Sequence, residues 1–304
     1  MSSSASSPAQ PVISLVICTR NRCHRLPEMF SALERLTCAA AWEIVIVNNA
    51  STDDTRSVLD RYAWPAHMVV RVVDGSRVGL AAARNVGWRS ARGKLIAFTD
   101  DDCYPREDFL DSVLQSFARP EVSFVGGRIL LFDPTDFPVT IQTRTTPAWI
   151  APHTFVPAGL IQGANMAVRS VGLQEVGGFD EFLGAGTPFP SEDVEILARL
   201  SAHGHGGCYD PGPVVLHHHG RKAGDDIRRL SIAYDRGRGA YYLKCFFIAE
   251  FRRSVCHEFY QSLRADLQRL RRGQSLQWQF CNEIIGAVGY AGVRVAERIR
   301  RMFS

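Results

Sequence analysis

The sequence LIAFTDDD, residues 95–102, begins as an apolar run and ends in three consecutive carboxylates. Its first four residues are typical of a buried strand, so Asp100, Asp101 and Asp102 fall where that strand ends. Adjacent carboxylates repel one another, and a divalent cation that prefers oxygen ligands removes this cost. If the extended backbone continues, Asp100 and Asp102 point to one side and Asp101 to the other. The alternative is a solvated acidic turn ahead of a helix near residues 105–117.

The pattern of a short β-branched run followed by a helix-like segment occurs three more times upstream. This alternation is typical of an α/β fold with a mostly parallel central sheet flanked by helices. Ligands bind to such sheets in the loops at the carboxyl ends of the strands. The predicted strands span residues 12–18, 43–47 and 69–73, and the predicted helices span residues 25–37, 53–62 and 80–90.

The loops after these strands carry basic, amide and acidic side chains together. TRNR occupies residues 19–22, and NNASTDD occupies residues 48–54. Asp53 is suited either to accept a hydrogen bond from a nucleobase or to cap the helix that follows it. GLAAARN at residues 79–85 is first of all a helix start, and its small residues would also let a ligand approach the backbone.

In this order, TRNR, NNASTDD, GLAAARN and FTDDD resemble the motifs of the inverting family 2 glycosyltransferases, which adopt the nucleotide-binding fold called GT-A. The resemblance covers about residues 12–220. It implies a nucleotide-sugar donor linked through UDP, GDP or dTDP, and coordination of Mn²⁺ or Mg²⁺ by Asp102. The nucleotide-binding and donor-binding residues that it implies are Thr19, Arg20, Arg22, Asn49, Ser51, Asp53, Arg84, Asn85, Asp100, Asp101, Gly163 and Asn165.

Three segments of the second half continue the likeness. QGANMAVR at residues 162–169 resembles the donor-sugar and acceptor segment of the family, GGFDE at residues 177–181 resembles its usual turn, and SED follows at residues 191–193. By this resemblance Asp193 and Glu192 are the catalytic pair, and Asp193 is the general base that takes the proton of the acceptor hydroxyl. The alternative is that both are first-turn charges, which the helix dipole favours.

Three adjacent histidines, His217, His218 and His219, follow a short strand predicted at residues 214–216. Such a run can simply be solvated. Its position resembles that of a histidine that contacts metal or diphosphate in GT-A enzymes. His217 and His219 lie on the same side of an extended chain and are therefore the metal-ligand candidates beside Asp102.

The resemblance predicts a metal-assisted enzyme that transfers a sugar with inversion to an acceptor hydroxyl. The acceptor is an unidentified glycan, lipid-linked compound or small molecule, as in the glycosylation of bacterial cell-surface glycans, glycolipids or natural products. The Gln-x-x-Arg-Trp motif of processive members is absent, so single additions are expected. The Trp that many relatives carry before the Glu192–Asp193 pair is also missing. The alternative functions are a sugar nucleotidyltransferase, whose first loop is usually glycine-rich, and a catalytically silent binding protein of the same fold.

The charge of the chain is unevenly distributed. Residues 221–304 hold 17 Lys and Arg against 8 Asp and Glu, although the net charge of the chain is only +4. Phe259, Leu263, Leu267 and Leu270 recur at helical spacing among arginines, which predicts an amphipathic basic helix. This helix either packs on the catalytic domain or lies on an anionic membrane surface. Because no aromatic stacking platform accompanies the arginines, nucleic acid is not expected as a partner.

These patterns predict three parts of the chain. Residues 1–10 would be a disordered N-terminus, residues 11–220 a GT-A catalytic domain, and residues 221–304 a helical basic extension. Within the catalytic domain, residues 11–130 would form the nucleotide-donor half and residues 131–220 the acceptor half. The Ser/Ala-rich start lacks the pattern of a signal peptide, and no apolar run reaches the roughly 20 residues of a spanning helix. We therefore expect a cytoplasmic protein, peripheral on the inner face of the membrane.

Overall fold

The computed structural model describes residues 10–222, 224–274 and 278–303. Within these residues, nine strands form one sheet. They are β1 Ile13–Thr19, β2 Trp42–Asn49, β3 Val70–Gly75, β4 Leu95–Asp100, β5 Cys103–Pro105, β6 Val122–Leu131, β7 Ala148–Ile150, β8 Met166–Arg169 and β9 Gly206–His217. The strand order is β3-β2-β1-β4-β8-β6-β9-β5, and β7 pairs with β9 at the side of this path.

The direction of the strands changes halfway across the sheet. β1, β2, β3 and β4 are mutually parallel, as predicted. β8 runs antiparallel to both of its neighbours, β4 and β6, and β5 and β7 run antiparallel to β9. The central sheet is therefore parallel in the half built by the predicted strand–helix units and mixed in the other half.

Nine α-helices flank the sheet in the described residues. They are α1 Leu26–Leu33, α2 Thr55–Arg61, α3 Leu80–Ser90, α4 Phe109–Ser116, α5 Ser170–Glu175, α6 Glu192–Ala202, α7 Asp225–Phe246, α8 Arg252–Arg271 and α9 Gln279–Met302. The strand predicted at residues 214–216 is only the end of the twelve-residue β9, whose earlier residues carry three glycines and two prolines that hide its β character.

The alternation of side chains along the strands divides the core into two layers. Leu15 of β1 faces α1, α2 and α4, and it packs in one cluster with Phe30 and Phe109. Val16, the next residue, faces α3 and α6 on the other side of the sheet. Tyr241 of α7 belongs to this second layer, so the helices after residue 220 share the core of the sheet.

The C-terminal helices pack closely on one another. A side chain at Gly239 of α7 would overlap the backbone of Glu283 in α9, which explains why glycine stands at this crossing. Phe259 of α8 packs against Tyr242 of α7, with ring centroids 5.1 Å apart. Phe259 therefore faces inward, whereas the other apolar residues of its predicted stripe are exposed on α8. In the part of the chain that the structure describes, no helix has an apolar stretch long enough to cross a bilayer.

Candidate active site

A cavity of about 620 Å³ opens at the carboxyl ends of β1, β2 and β4. The loops after these strands meet there because parallel neighbouring strands end at the same edge of the sheet. Helices α3, α6 and α7 contribute the remaining walls. The predicted site residues that line this cavity are Thr19, Arg20, Arg22, Asn49, Arg84, Asp100, Asp101, Asp102, Gly163, Glu192, Asp193 and His217.

The acidic run turns as it leaves the sheet. The strand alternation expected for Asp100, Asp101 and Asp102 is wrong, because β4 ends at Asp100 and the next two residues form a turn. All three side chains line the cavity. The hydroxyl of Thr19 donates a hydrogen bond to Asp101 at 2.6 Å. Burial, reinforced by the charge of Asp102, raises the pKa of Asp101 to about 7.

Asp102 and His217 form the best-suited cation site in the described residues. The pairing of β5 with β9 brings them together, and His217 Nε2 lies 3.4 Å from Asp102 Oδ1. Burial alone would raise the pKa of Asp102, but the hydrogen bond and charge of His217 outweigh it, so this pKa is lowered. The thiol of Cys103 completes the cluster. Because burial raises the pKa of that thiol well above its ordinary value, Cys103 is a poor ligand for a hard cation.

The chemistry of this donor set fits Mn²⁺ or Mg²⁺. A carboxylate and an imidazole offer two protein ligands, and both ions are commonly completed by water or phosphate oxygens. Arg22 lies beside the same carboxylates, with its Nε 3.8 Å from Asp101 and its Nη2 3.7 Å from Asp102. The site therefore combines cation ligands with a guanidinium group that can meet an anion.

A buried arginine joins the two halves of the cavity. Arg84 of α3 donates to Glu192 of α6 at 2.6 Å and to Asp100 at 3.1 Å. Its guanidinium group lies beside the paired rings of Phe98 and Phe179, at 5.9 and 5.8 Å from their centroids. It is 2% exposed. Since Glu192 is occupied by this arginine, the two carboxylates at the start of α6 do not have equivalent surroundings.

Asp193 is the freer of these two carboxylates. The backbone N–H of Gly163 donates to Asp193 Oδ2 at 2.8 Å, and the N–H of Val194 donates to Oδ1 at 2.8 Å. The side chain is half-buried and faces the cavity. Gly163 has no room for a side chain, because a Cβ there would lie 2.5 Å from Arg84 Nη2. The glycine thus lets one backbone segment contact both the arginine and the carboxylate.

Ser51 and Asp53 lie outside the cavity and instead join the first two loops. Ser51 Oγ accepts a hydrogen bond from the N–H of Asn21, and Asp53 accepts hydrogen bonds from the N–H groups of Thr55 and Cys23. The capping role left open for Asp53 is the one that its side chain performs. A direct nucleotide contact is therefore not supported for either residue.

Asn85, Asn165 and His219 also point away from the cavity. The side chain of Asn85 bonds both the N–H and the C=O of Phe179. Asn165 donates to two backbone carbonyl groups across β6 and β9. His219 is buried beside Asp136, with Nδ1 accepting from a backbone N–H, and it lies outside the Asp102 cluster. The ring of His219 lies next to that of His217, with centroids 4.9 Å apart, but only His217 belongs to the Asp102 cluster.

Three lining residues come from beyond residue 220 and were not among the predicted site residues. Arg221 follows β9, while Tyr234 and Arg238 project from α7. Arg238 is held by Asp235 at 2.5 Å and by Glu283 of α9 at 2.7 Å. No local motif marks these residues, because they lie in a segment whose composition only indicates a basic helix. They make the C-terminal helices part of the cavity wall.

Comparison with known proteins identifies relatives of this chain. A family model described as glycosyl transferase family 2 matches residues 14–169, about half of the chain. A pre-mycofactocin glycosyltransferase of Mycobacterium tuberculosis is 29% identical over 233 residues, covering 74% of this chain and 46% of the relative. A validoxylamine A glucosyltransferase of Streptomyces hygroscopicus subsp. jinggangensis is 30% identical over 224 residues, covering 64% and 52%. The chain thus spans about half the length of these curated relatives.

Solved structures share the fold. The mannosyltransferase PcManGT from Pyrobaculum calidifontis, in complex with GDP-Man and Mn²⁺, superposes with a TM-score of 0.64 at 18% identity, covering 98% of this chain and 82% of its own. S. aureus TarS 1-349 in complex with UDP gives a TM-score of 0.52 at 16% identity, covering 76% and 65%. The predicted GT-A fold with a helical C-terminal extension is confirmed.

Proposed function

The chain belongs to glycosyl transferase family 2, and from this premise we propose that it transfers single sugars from a nucleotide-sugar donor to an acceptor hydroxyl, with inversion. One observation carries the proposal. A single cavity is lined both by Asp102 with His217 and by Asp193, which is not ion-paired to Arg84. An inverting displacement needs this arrangement, with leaving-group stabilisation opposite a general base.

The donor is a nucleoside diphosphate sugar with uridine, guanosine or thymidine as the base. PcManGT is described with GDP-Man and Mn²⁺, and TarS with UDP-GlcNAc. In this chain the nucleoside would lie against the first two loops. The cavity wall there is formed by Thr19, Arg20 and Asn49, and Asp100 and Asp101 line it nearby. Arg20 donates to two carbonyl groups of the second loop, at 3.1 and 2.9 Å, and so fixes the loop that receives the base.

Asp102 and His217 would hold Mn²⁺ or Mg²⁺. When bound, the cation supplies positive charge to the diphosphate as its bond to the sugar breaks. Arg22 and Arg221 flank the same position and neutralise further phosphate charge.

Asp193 accepts the proton of the acceptor hydroxyl while the acceptor oxygen forms its bond to the anomeric carbon. The anomeric carbon's bond to the diphosphate oxygen breaks on the opposite face, which inverts the configuration. Glu192 and Arg84 are positioning residues in this scheme, because their ion pair fixes the start of α6 and thereby the carboxylate of Asp193. The N–H of Gly163 orients the same carboxylate.

The experiment is a thermal-shift panel of UDP, GDP and dTDP, each with and without Mn²⁺, followed by transfer assays with the matching sugar donors. A ligand that binds the folded state at about 100 times its Kd adds about 2.7 kcal/mol of stability. We expect one nucleotide to raise the melting temperature, and Mn²⁺ to increase that rise. The Asp102→Asn variant should lose the additional rise in melting temperature that Mn²⁺ causes. Asp108→Asn, an exposed control before α4, should keep this additional rise.

Three results would contradict the proposal. They are the absence of any nucleotide-dependent shift, full transfer after exhaustive chelation, and retention of the anomeric configuration in the product. Formation of pyrophosphate from a sugar phosphate and a nucleoside triphosphate would instead identify a sugar nucleotidyltransferase. Nucleotide binding with neither hydrolysis nor transfer for any donor would identify a binding protein.

The proposal extends to the organisation and location of the chain. Residues 11–220 would form the catalytic domain, with the helices after residue 220 completing the acceptor side through Tyr234 and Arg238. The acceptor would be a glycan, a lipid-linked compound or a small molecule. We place the reaction at an anionic membrane surface, since residues 221–304 carry 17 basic against 8 acidic side chains.

A further inference from the structure

The outer face of α9 is apolar along its whole length. The helix buries Glu283, Gly286 and Tyr290 against the rest of the protein. On the opposite side, apolar side chains recur every three or four residues and remain exposed. They are Ile284, Val288, Val295, Ile299 and Met302, and the half-buried Ala291 lies in the same row. A surface helix of a globular protein normally has a polar outer face, so this distribution requires a partner.

The stripe is long and continuous. Val288 is 67% exposed and Val295 is 59% exposed. Eighteen residues separate Ile284 from Met302, which corresponds to about 27 Å along the helix axis. After Tyr290 no residue of α9 is buried. The last three turns contact the rest of the protein through Arg294, which meets Asp180 and Phe182, and their apolar side chains face water. An isolated helix of that length is marginal in water and gains order from a surface that covers it.

Arginines flank this stripe. Arg294, Arg298 and Arg301 line a groove on α9 beside Val295 and Phe182. The groove contains one acidic residue, Glu297, which pairs with Arg301 at 3.0 Å. The groove therefore carries net positive charge directly beside exposed apolar side chains. At a bilayer surface, anionic phosphates lie directly above the acyl chains. The phosphates are complementary to the arginines, and the acyl chains are complementary to the apolar stripe.

We propose that the outer face of α9 lies in the plane of an anionic phospholipid bilayer, with its apolar stripe inserted and its groove arginines bound to lipid phosphates. A second copy of the chain fits this surface less well, because two such faces would bring like-charged arginine clusters together. The stripe lies outside the donor cavity, and the inference stands independently of the sugar transferred. Insertion in the plane needs no membrane-spanning segment.

The groove and the donor cavity share one loop. Phe182 lines the groove, and Ala185, three residues later, lines the cavity. Three consecutive peptide units span at most about 11 Å. A bilayer seated on α9 is therefore adjacent to a loop that borders the cavity.

The test is co-sedimentation of the full chain with lipid vesicles. One vesicle preparation contains phosphatidylcholine alone, and the other contains phosphatidylcholine with phosphatidylglycerol. We expect binding to the second preparation only. The double variant V288D/V295D should bind at least tenfold more weakly. Each arginine near the surface contributes roughly fivefold to the affinity, so R298Q/R301Q should bind about 25- to 30-fold more weakly. The control is Val171→Asp, which alters an exposed valine of α5 and should leave binding unchanged.

Several outcomes would overturn the inference. They are no binding to the anionic vesicles, equal binding to both preparations, and an equal loss of binding in the control. A concentration-dependent dimer that the V288D/V295D variant abolishes would assign the face to a second copy. Because the substituted side chains are exposed, the melting temperatures of the variants should equal that of the wild type. This measurement distinguishes a loss of vesicle binding from a loss of folding. Nucleotide-dependent thermal shifts, measured in parallel, report on the donor site alone.

Discussion

Replacing Asp180 with Asn should destabilise the protein and loosen the loop between the cavity and α9. Asp180 precedes this loop and accepts hydrogen bonds from Lys244 of α7 and from the hydroxyl of Tyr290 in α9, each at 2.6 Å. The N–H of Phe182 also donates to it, at 3.1 Å. The carboxylate therefore joins the loop to two C-terminal helices.

The size of the expected loss of stability follows from the pKa of the Asp180 carboxyl group. Burial alone would raise it, but Lys244 and the Tyr290 hydroxyl outweigh burial and lower the pKa from 3.8 to about 2. The side chain is 8% exposed, so solvent screening is small. Each pH unit corresponds to about 1.36 kcal/mol, and the charged form is thus favoured in the folded state by roughly 2–3 kcal/mol. Asp180→Asn should cost about that much, or about 5 °C in melting temperature.

The same pKa predicts how the contribution of Asp180 to stability changes with pH. The pKa is lower in the folded state, so the contribution is complete above pH 3.8 and is lost as the pH falls through about 2. Urea unfolding should therefore show a constant difference between wild type and Asp180→Asn from pH 7 to about pH 4.5, and a smaller one below. Asp108→Asn, whose ion pair with Arg106 is exposed, should change stability by less than about 0.5 kcal/mol. Two results for Asp180→Asn would refute the reasoning. One is a loss of unfolding free energy below about 0.5 kcal/mol at pH 7, and the other is a loss that does not change with pH.

Four further predictions concern the cavity and the helices. Asp193→Asn should retain nucleotide binding but lower kcat by about 10²- to 10⁴-fold, and normal turnover would place the base elsewhere. Gly163→Ala should lose about 1–3 kcal/mol in urea unfolding, since its Cβ would meet Arg84; a neutral result would mean that this arginine moves freely. Gly292→Ala, where α9 leaves open space, should gain up to about 1 kcal/mol in the same assay, and a loss would mean that the space is filled. Glu283→Gln should cost about 1–3 kcal/mol, because Arg238 of α7 keeps its bond to Asp235 but loses the charge of the fully buried Glu283, and a cost below about 0.5 kcal/mol would contradict this role.

The fold and family were predictable because their signals are local. The loops after β1, β2 and β4 carry short contiguous motifs, and parallel pairing necessarily brings such loops to one edge of the sheet. The family model matches the same region. The boundary of β4 was less predictable, because only the folded chain reveals that the backbone turns after Asp100. Strand alternation therefore gave the wrong orientation for Asp101.

The details of the site depend on partners distant in sequence. Asn85 and Asn165 have the composition of ligand-binding amides, yet their partners are backbone groups 94 and 48 residues away. A buried backbone carbonyl leaves no mark in the sequence, so the two roles cannot be separated there. Tyr234 and Arg238 show the converse case. They line the cavity because α7 packs against α6, a tertiary contact without a local motif.

The position of β8 in the sheet has a consequence for how the chain folds during synthesis. β1 to β4 are made in sequence and can pair as soon as they emerge. β6, made after the short β5, cannot join them, because β8 must first fill the place between β4 and β6. Until residue 169 has been made, β4 presents an open, strongly apolar edge, and such edges promote aggregation. Between the synthesis of β6 and that of β8, the nascent chain therefore carries an unpaired apolar strand edge that only its own later residues can cover.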